Sequence, residues 1–141
     1  MTKTTTGKVS YLAGLAAEFQ AVRHYERDGW RVLQYGFKSA AGEIDLVFCR
    51  YHTVLFVEVK RARTHDIAAS RISLQQMARM NQSGEIFVAE HLFGQNFETR
   101  LDAALVDQKS EIQIIPDARA SFSPLGDCQI TLDRPSIAKR K

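Results

Sequence analysis

The sequence has few of the residues that build disulfide-linked, redox or membrane-spanning proteins. Only two of its 141 residues are cysteines, Cys49 and Cys128, and their separation matches neither a metal-binding nor a redox motif. The first residues lack an apolar signal core, and no later run is apolar and long enough to span a bilayer. We therefore expect a chain without a membrane segment that resides in the cytoplasm.

The sequence also lacks the motifs of zinc enzymes and of hydrolases with a nucleophilic side chain. Its four histidines are not spaced for a zinc site or a catalytic triad; they are His24, His52, His65 and His91. No motif surrounds a serine or cysteine as a nucleophile. Each histidine is expected to be an ordinary surface residue.

Charge is only mildly unbalanced over the whole chain. Lysine and arginine number 19 against 16 aspartates and glutamates, which gives a net charge of +3. This excess permits a polyanionic partner without requiring one. Basic residues are concentrated directly after residue 60 and at the end of the chain: Arg61, Arg63, Arg134, Lys139, Arg140 and Lys141.

The length of the chain predicts one domain with one core, because 45% of the 141 residues are hydrophobic. We expect a disordered polar tail over residues 1–9 and a folded domain over residues 10–120. Pro124 and Pro135 interrupt the remaining segment, so residues 121–141 are predicted to form turns and a basic tail.

Two apolar segments, 42–48 and 54–60, carry charges where a strand core is expected. A short polar break separates them, which predicts a β-hairpin. Glu58 and Lys60 lie two residues apart on one strand and therefore share a face, and Asp45 can lie opposite Glu58 on the other strand. Two carboxylates and an ammonium group would then converge, and such oxygen ligands suit Mg²⁺.

The alternative is a salt-bridged trio that only stabilises the hairpin. Surface ion pairs contribute about 0–1 kcal/mol, which is too little to explain three charges inside an apolar hairpin. A functional site is therefore the favoured interpretation.

The rest of the chain predicts helices and strands around this hairpin. A helix over residues 10–27 has Leu12, Leu15, Ala16, Phe19 and Val22 on its apolar side, with Glu18 at the edge. A second helix is predicted over residues 72–83, after a mobile loop over residues 64–70. Further strands are predicted over residues 30–37, 85–90, 99–106 and 111–115, of which the last two form a hairpin.

The segments Gly42-Glu43-Ile44-Asp45-Leu46 and Phe56-Val57-Glu58-Val59-Lys60 resemble the restriction-endonuclease-like nuclease superfamily. Within it, the chain resembles the YraN-type family of predicted bacterial nucleases, which are similar to archaeal Holliday-junction resolvases. The resemblance covers roughly Gly14 to Val106. It implies an α/β fold with a mixed central sheet flanked by helices.

The resemblance also implies roles for individual residues. Asp45 and Glu58 would hold Mg²⁺ or Mn²⁺, and Lys60 would act on the attacking water or the transition state. Glu18 fits the family's pattern of Gly14, Glu18, Ala21 and Tyr25, and would assist at the metal. DNA, with branched DNA among the expected structures, would be the substrate. Many resolvase-like enzymes are dimers, which leaves a homodimer open, although the sequence contains no recognisable self-complementary surface.

Residues near the site are expected to contact the DNA: Arg61, Arg63, Arg71 and Gln75. The family usually has a basic residue near Gln75 or Gln76, so the chain departs from the pattern there. Asp102 is expected to pair with Arg100 or Arg119. A different class of function remains open, namely a nucleic-acid-binding accessory protein that keeps the fold without cleaving.

Overall fold

The fold is a mixed sheet with helices on both faces. A computed structural model describes residues 2–92 and 96–118, with side chains from Tyr11 onward. Its helices and strands, in chain order, are α1 Thr2–Arg27, β1 Arg31–Lys38, β2 Glu43–Arg50, β3 Thr53–Arg61, α2 His65–Ser70, α3 Leu74–His91, β4 Glu98–Val106 and β5 Ile112–Ile115. The predicted α/β fold with a mixed central sheet is confirmed.

The strands lie in the order β1-β2-β3-β4-β5. Strands β3 and β4 are parallel, and the other neighbours are antiparallel. Parallel neighbours need a long crossover connection, and α2 and α3 lie in the segment that joins β3 to β4. The core has two layers: one face of the sheet packs against α2 and α3, and the other face packs against α1.

The strand predictions around the hairpin are confirmed. Strands β1, β2 and β3 cover the predicted segments, and β4 and β5 form the second hairpin across residues 107–111. The predicted C-terminal turns and basic tail, together with Arg119 and Cys128, lie outside the described residues. No helix in the described ranges is long and apolar enough to cross a membrane.

Helix α1 differs from its prediction in length and in its buried face. It begins at Thr2 rather than near Ser10, so the tail predicted to be disordered is helical from that residue. The predicted apolar side is largely exposed, since Leu12, Leu15 and Phe19 are 51%, 38% and 64% accessible. Val22 is buried as predicted, and the other buried α1 residues are Ala17, Ala21 and Tyr25.

The helical period alone could not determine this orientation, because α1 has two adjacent stripes that both qualify as apolar. The stripe with alanines at 17 and 21 faces the sheet, and small side chains allow the helix backbone to approach the strands closely. On the far flank of α1, Gln20 donates a hydrogen bond to the carbonyl of Ser110 at 2.8 Å, which holds this flank toward the turn between β4 and β5.

Two predictions after β3 are wrong. The predicted mobile loop contains α2, whose first turn is capped by Thr64, and the predicted strand over residues 85–90 is the second half of α3. The side chain of Ser73 caps α3 by accepting a hydrogen bond from the backbone of Gln76. Residues 86–88 have strand propensity, but the helix started at Ser73 continues through them because Phe87 packs into the core.

Candidate functional site

Strands β2 and β3 bring Asp45 and Glu58 side by side. The antiparallel register pairs Leu46 with Val57, and one further step along both strands places Asp45 opposite Glu58. On this face the sheet packs against α3 rather than α1, because the neighbouring pair Val47 and Phe56 lies in the α3 core. The predicted placement of the two carboxylates on one face is confirmed.

Asp45 is held by the backbone of the neighbouring strand. Its Oδ2 accepts a hydrogen bond from the amide of Val59 at 2.8 Å. Burial raises the pKa of Asp45, and this amide, which stabilises the ionised form, opposes the rise. The side chain therefore has a fixed orientation at a site where a negative charge is costly.

Glu58 is a buried carboxylate, only 5% exposed, with two donors on one oxygen. Its Oε2 lies 3.2 Å from Nζ of Lys60 and accepts a hydrogen bond from Nε2 of Gln76 at 2.7 Å. Burial is the main cause that raises the pKa of Glu58 to about 7, and the charge of Asp45 raises it further, against the opposing effect of Lys60. Near neutral pH this carboxyl group is therefore partly protonated.

Glu18 approaches the same site from α1. The residue is half-buried, and burial raises its pKa, followed by the negative charges of Asp45 and Glu43. Glu18 is therefore close enough to Asp45 for their charges to interact. Its role as a metal ligand stays a prediction.

The donor set fits a hard divalent cation held by two carboxylates. Within residues 2–92 and 96–118, no group of three or more His, Cys, Asp or Glu side chains is arranged to hold a metal ion. Mg²⁺ is, however, commonly bound by one or two carboxylates together with water and substrate phosphate. Burial raises the pKa values of Asp45 and Glu58, and the charge of Asp45 raises that of Glu58 further; a cation between the two groups would favour their ionised forms.

Gln76 belongs to the site, although the sequence pattern favoured its neighbour. Gln75 is exposed on α3, whereas Gln76 reaches Glu58 from the first turn of that helix. Two features set this position: the Ser73 cap fixes where α3 begins, and Gly84 lets α3 pack against the ring of Phe56. The sequence pattern did not show which side of α3 each glutamine faces, because this depends on where the Ser73 cap starts the helix and not on apolar spacing.

The basic residues predicted to contact DNA lie near the end of β3. Arg61, Arg63 and Arg71 are all exposed. The guanidinium of Arg71 lies 3.5 Å from the carbonyl of Arg61, so α2 and the end of β3 carry these charges together. The geometry is compatible with phosphate contacts, and the roles of these residues and of Gln75 stay predictions.

Asp102 is a structural carboxylate outside this site. It is fully buried, and its two oxygens accept hydrogen bonds from Arg100 at 3.1 Å, from the hydroxyl of Tyr25 at 2.7 Å and from the backbone of Asp117 at 2.9 Å. The predicted pairing with Arg100 is confirmed. These bonds join α1, β4 and the segment after β5, and burial together with the Asp102 charge raises the pKa of Tyr25.

The family model and the similar proteins that match this chain all belong to one family. The model of the uncharacterised protein family UPF0102 matches residues 17–106. A UPF0102 protein of Cereibacter sphaeroides is 39% identical over 116 residues, which cover 82% of this chain and 99% of the relative. Similar proteins of Roseobacter denitrificans and Rhodopseudomonas palustris are 40% and 36% identical, and the alignments cover 79% and 84% of this chain and 87% and 96% of the relatives. The matched segment contains the whole candidate site.

Proposed function

The chain belongs to the UPF0102 family, and we propose that it is a metal-dependent nuclease that hydrolyses phosphodiester bonds of DNA. The observation that carries this proposal is the pair of adjacent carboxylates, Asp45 and Glu58. Their pKa values are raised, and Lys60 forms an ion pair with Glu58. A hairpin stabilised only by ion pairs would not need two carboxylates that repel each other.

Each residue has a task in this proposal. Asp45 and Glu58 would hold Mg²⁺ or Mn²⁺, while the amide of Val59 and the side chain of Gln76 keep their carboxylates oriented. When bound, the cation supplies a water of lowered pKa and neutralises charge on the phosphate. Lys60, whose ammonium group is partly exposed beside Glu58, would stabilise the negative charge that develops on the phosphate oxygens.

Glu58 can also exchange a proton as the site fills. With a pKa of about 7, its carboxyl group is partly protonated near neutral pH, and a cation favours the ionised form. Binding of a cation would therefore release this proton, so metal affinity should rise with pH through this range. Arg61, Arg63 and Arg71 are proposed to contact phosphates on either side of the cleaved bond.

A homodimer is the proposed assembly. Exposed apolar side chains recur along α1 at Tyr11, Leu12, Leu15 and Phe19, which together we call the α1 apolar surface. A two-fold axis places the same surface of two copies together, so one apolar helix face can cover itself without a second kind of partner. Gly14 adds an open position within this surface, because nothing lies within 4 Å of a Cβ built there.

Cleavage and binding measured side by side test the nuclease proposal. Labelled single-stranded, duplex, flapped and branched DNA are incubated with Mg²⁺, Mn²⁺ or EDTA. We expect metal-dependent cleavage by the wild type and a loss of roughly a hundredfold or more for Lys60→Ala. DNA binding by this variant should weaken only slightly, because one phosphate contact among several is removed.

The accessory-protein alternative predicts a different pattern. The wild type would not cleave any of these DNA structures with either metal, and Lys60→Ala would change only the binding affinity and its salt dependence. Asp45→Asn serves as the second arm, since it removes a proposed metal ligand while keeping a similar shape. Wild-type inactivity across the whole set would overturn the nuclease proposal.

A further inference from the structure

A polar pocket lies at the opposite end of β2 from the carboxylates. It has a volume of about 360 Å³ and is lined by Asp28, Gly29, Arg31, Cys49, Arg50 and Tyr51. Arg50 is five positions after Asp45, which corresponds to about 17 Å along an extended strand. The pocket is therefore too far from Asp45 and Glu58 to be part of that site.

Two arginines give this pocket an excess of positive charge. Arg31 lies opposite Cys49 in the β1–β2 register, and its guanidinium donates to the Sγ of Cys49, at 3.7 Å. Arg50 donates to the carbonyl of Asp28 at 2.8 Å. Neither arginine is in an ion pair among the described residues, and the single acidic lining residue, Asp28, leaves a net positive charge.

Arg50 is held in position before any ligand arrives. Its guanidinium carbon lies 4.3 Å from the centre of the Trp30 ring, and that of Arg100 lies 5.3 Å from the same ring. Trp30 is buried, so it provides a rigid support. An arginine has five N–H donors, and the one bond to Asp28 leaves most of those of Arg50 available to an anion.

Tyr51 is an unusual residue for its backbone conformation. It occupies the first turn position between the paired residues Arg50 and Thr53, with a φ of 54°, in the left-handed region that favours glycine or asparagine. Its side chain is 90% exposed, so packing does not repay this strain. A strained residue with an exposed aromatic ring beside a cationic pocket suggests a binding role.

We propose that this pocket binds one nucleotide unit of an unpaired DNA segment, with its phosphate between Arg31 and Arg50 and its base stacked on Tyr51. Guanidinium groups match phosphate oxygens, and every base has a face that can stack on an aromatic ring. Stacking on Tyr51 requires a base that is out of the duplex. This inference rests on the proposed function only for the choice of DNA, and it adds an unpaired segment to the substrate.

Binding of a labelled single strand in EDTA tests the proposal without cleavage. The probe is a fluorescent oligothymidylate of roughly 15 nucleotides, near the upper end of typical single-strand site sizes, and fluorescence anisotropy gives its dissociation constant. Tyr51→Asn should weaken binding by about 5- to 150-fold, the effect of one lost stacking contact. Tyr51→Phe should bind like the wild type.

Three comparisons separate a binding role from a structural one. Tyr51→Asn should raise the melting temperature while it weakens binding, because asparagine tolerates the left-handed conformation. Arg31→Ala should weaken binding. The logarithm of the binding constant should also depend less steeply on the logarithm of the salt concentration, by the amount that the loss of about one phosphate contact gives. Tyr35→Ala is the matched control: Tyr35 is an exposed tyrosine of β1 that does not line the pocket, and its removal should leave binding unchanged.

Two results would overturn the inference: a wild type that does not bind the oligothymidylate, or Tyr51→Asn and Arg31→Ala variants that bind it as tightly as the wild type does. Failure of the nuclease proposal gives a different result. In that case the wild type cleaves no DNA with Mg²⁺ or Mn²⁺, yet the loss of binding in EDTA caused by Tyr51→Asn remains.

Discussion

Glu58 shows how burial of one side chain links stability to pH. Its pKa rises from 4.5 to about 7, mainly because of burial, and the Asp45 charge adds to the rise. Between these values the folded chain keeps a proton that the unfolded chain loses. The contribution of Glu58 to the free energy of unfolding is therefore greatest below about pH 4.5. It decreases as pH rises from 4.5 to 7.

We expect the free energy of unfolding, measured by urea denaturation in EDTA, to show this contribution as the difference between wild type and Glu58→Gln. From pH 5 to pH 8 the wild type should lose on the order of 3 kcal/mol relative to the variant. Other carboxylates make stability rise with pH, such as Asp107, whose pKa is lowered by backbone hydrogen bonds. Their contribution is the same in both proteins and cancels in the difference. Parallel pH profiles for both proteins would contradict the assignment.

Gln76 and Gln75 provide a matched pair of variants on one helix turn. Gln76 donates to Glu58, whereas its exposed neighbour Gln75 is the residue that the sequence pattern favoured for DNA. Loss of a side chain that orients a metal ligand typically lowers metal affinity by about 10- to 100-fold. Gln76→Ala should therefore weaken Mn²⁺ binding by this factor in calorimetry, while Gln75→Ala should not. Equal effects of the two substitutions would mean that Gln76 does not orient Glu58.

The elements were predictable from the sequence where the pattern was local. The β2–β3 hairpin follows from two apolar runs around Arg50-Tyr51-His52, and its register brings Asp45 opposite Glu58 because side chains alternate along a strand. Helix α3 was only half predicted, because Ile86, Phe87 and Val88 have strand propensity. Their helical state depends on packing of Phe87 against residues distant in the sequence, which local propensity does not contain.

The site was predictable to the same extent as its elements. Asp45, Glu58 and Lys60 belong to one hairpin and could be identified from spacing. Gln76 belongs to α3, and its place depends on the Ser73 cap and on how closely the helix packs on β3. The exposed face of α1 likewise depends on which of two apolar stripes fits the sheet.

Substitution of two helical glycines tests whether α3 packs closely on the sheet. A Cβ at Gly84 would lie 2.6 Å from Cε2 of Phe56, whereas a Cβ at Gly14 would have nothing within 4 Å. Gly84→Ala should lower the free energy of unfolding by about 1–3 kcal/mol through overpacking. Gly14→Ala should raise it by up to about 1 kcal/mol, because alanine favours a helix. Urea denaturation of both variants measures these changes, and stabilisation by Gly84→Ala would show that α3 does not pack this closely.

At the scale of the whole molecule, three regions of different chemistry lie apart from one another. The carboxylates lie between β2, β3 and α3. The pocket lined by Arg31 and Arg50 lies at the other end of β2, and the α1 apolar surface lies on the opposite face of the sheet. Association through α1 would therefore leave the α3 side of the sheet, with Asp45 and Glu58, outside the interface. A dimer would then present two such sites to one DNA molecule.

Leu15 and Leu74 allow this association to be tested with matched variants. Both leucines are similarly exposed on helices, at 38% and 42%, but only Leu15 belongs to the α1 apolar surface. A glutamate at position 15 would enter a two-fold interface twice, so each dimer would bury two unpaired charges, which is costly. We expect a dimer for the wild type and for Leu74→Glu in sedimentation velocity, and a monomer for Leu15→Glu at the same concentration. Because position 15 is exposed in the single chain, Leu15→Glu should keep the wild-type circular dichroism spectrum. A wild type that sediments as a monomer at every concentration, or a Leu15→Glu variant that remains dimeric, would contradict the proposed assembly.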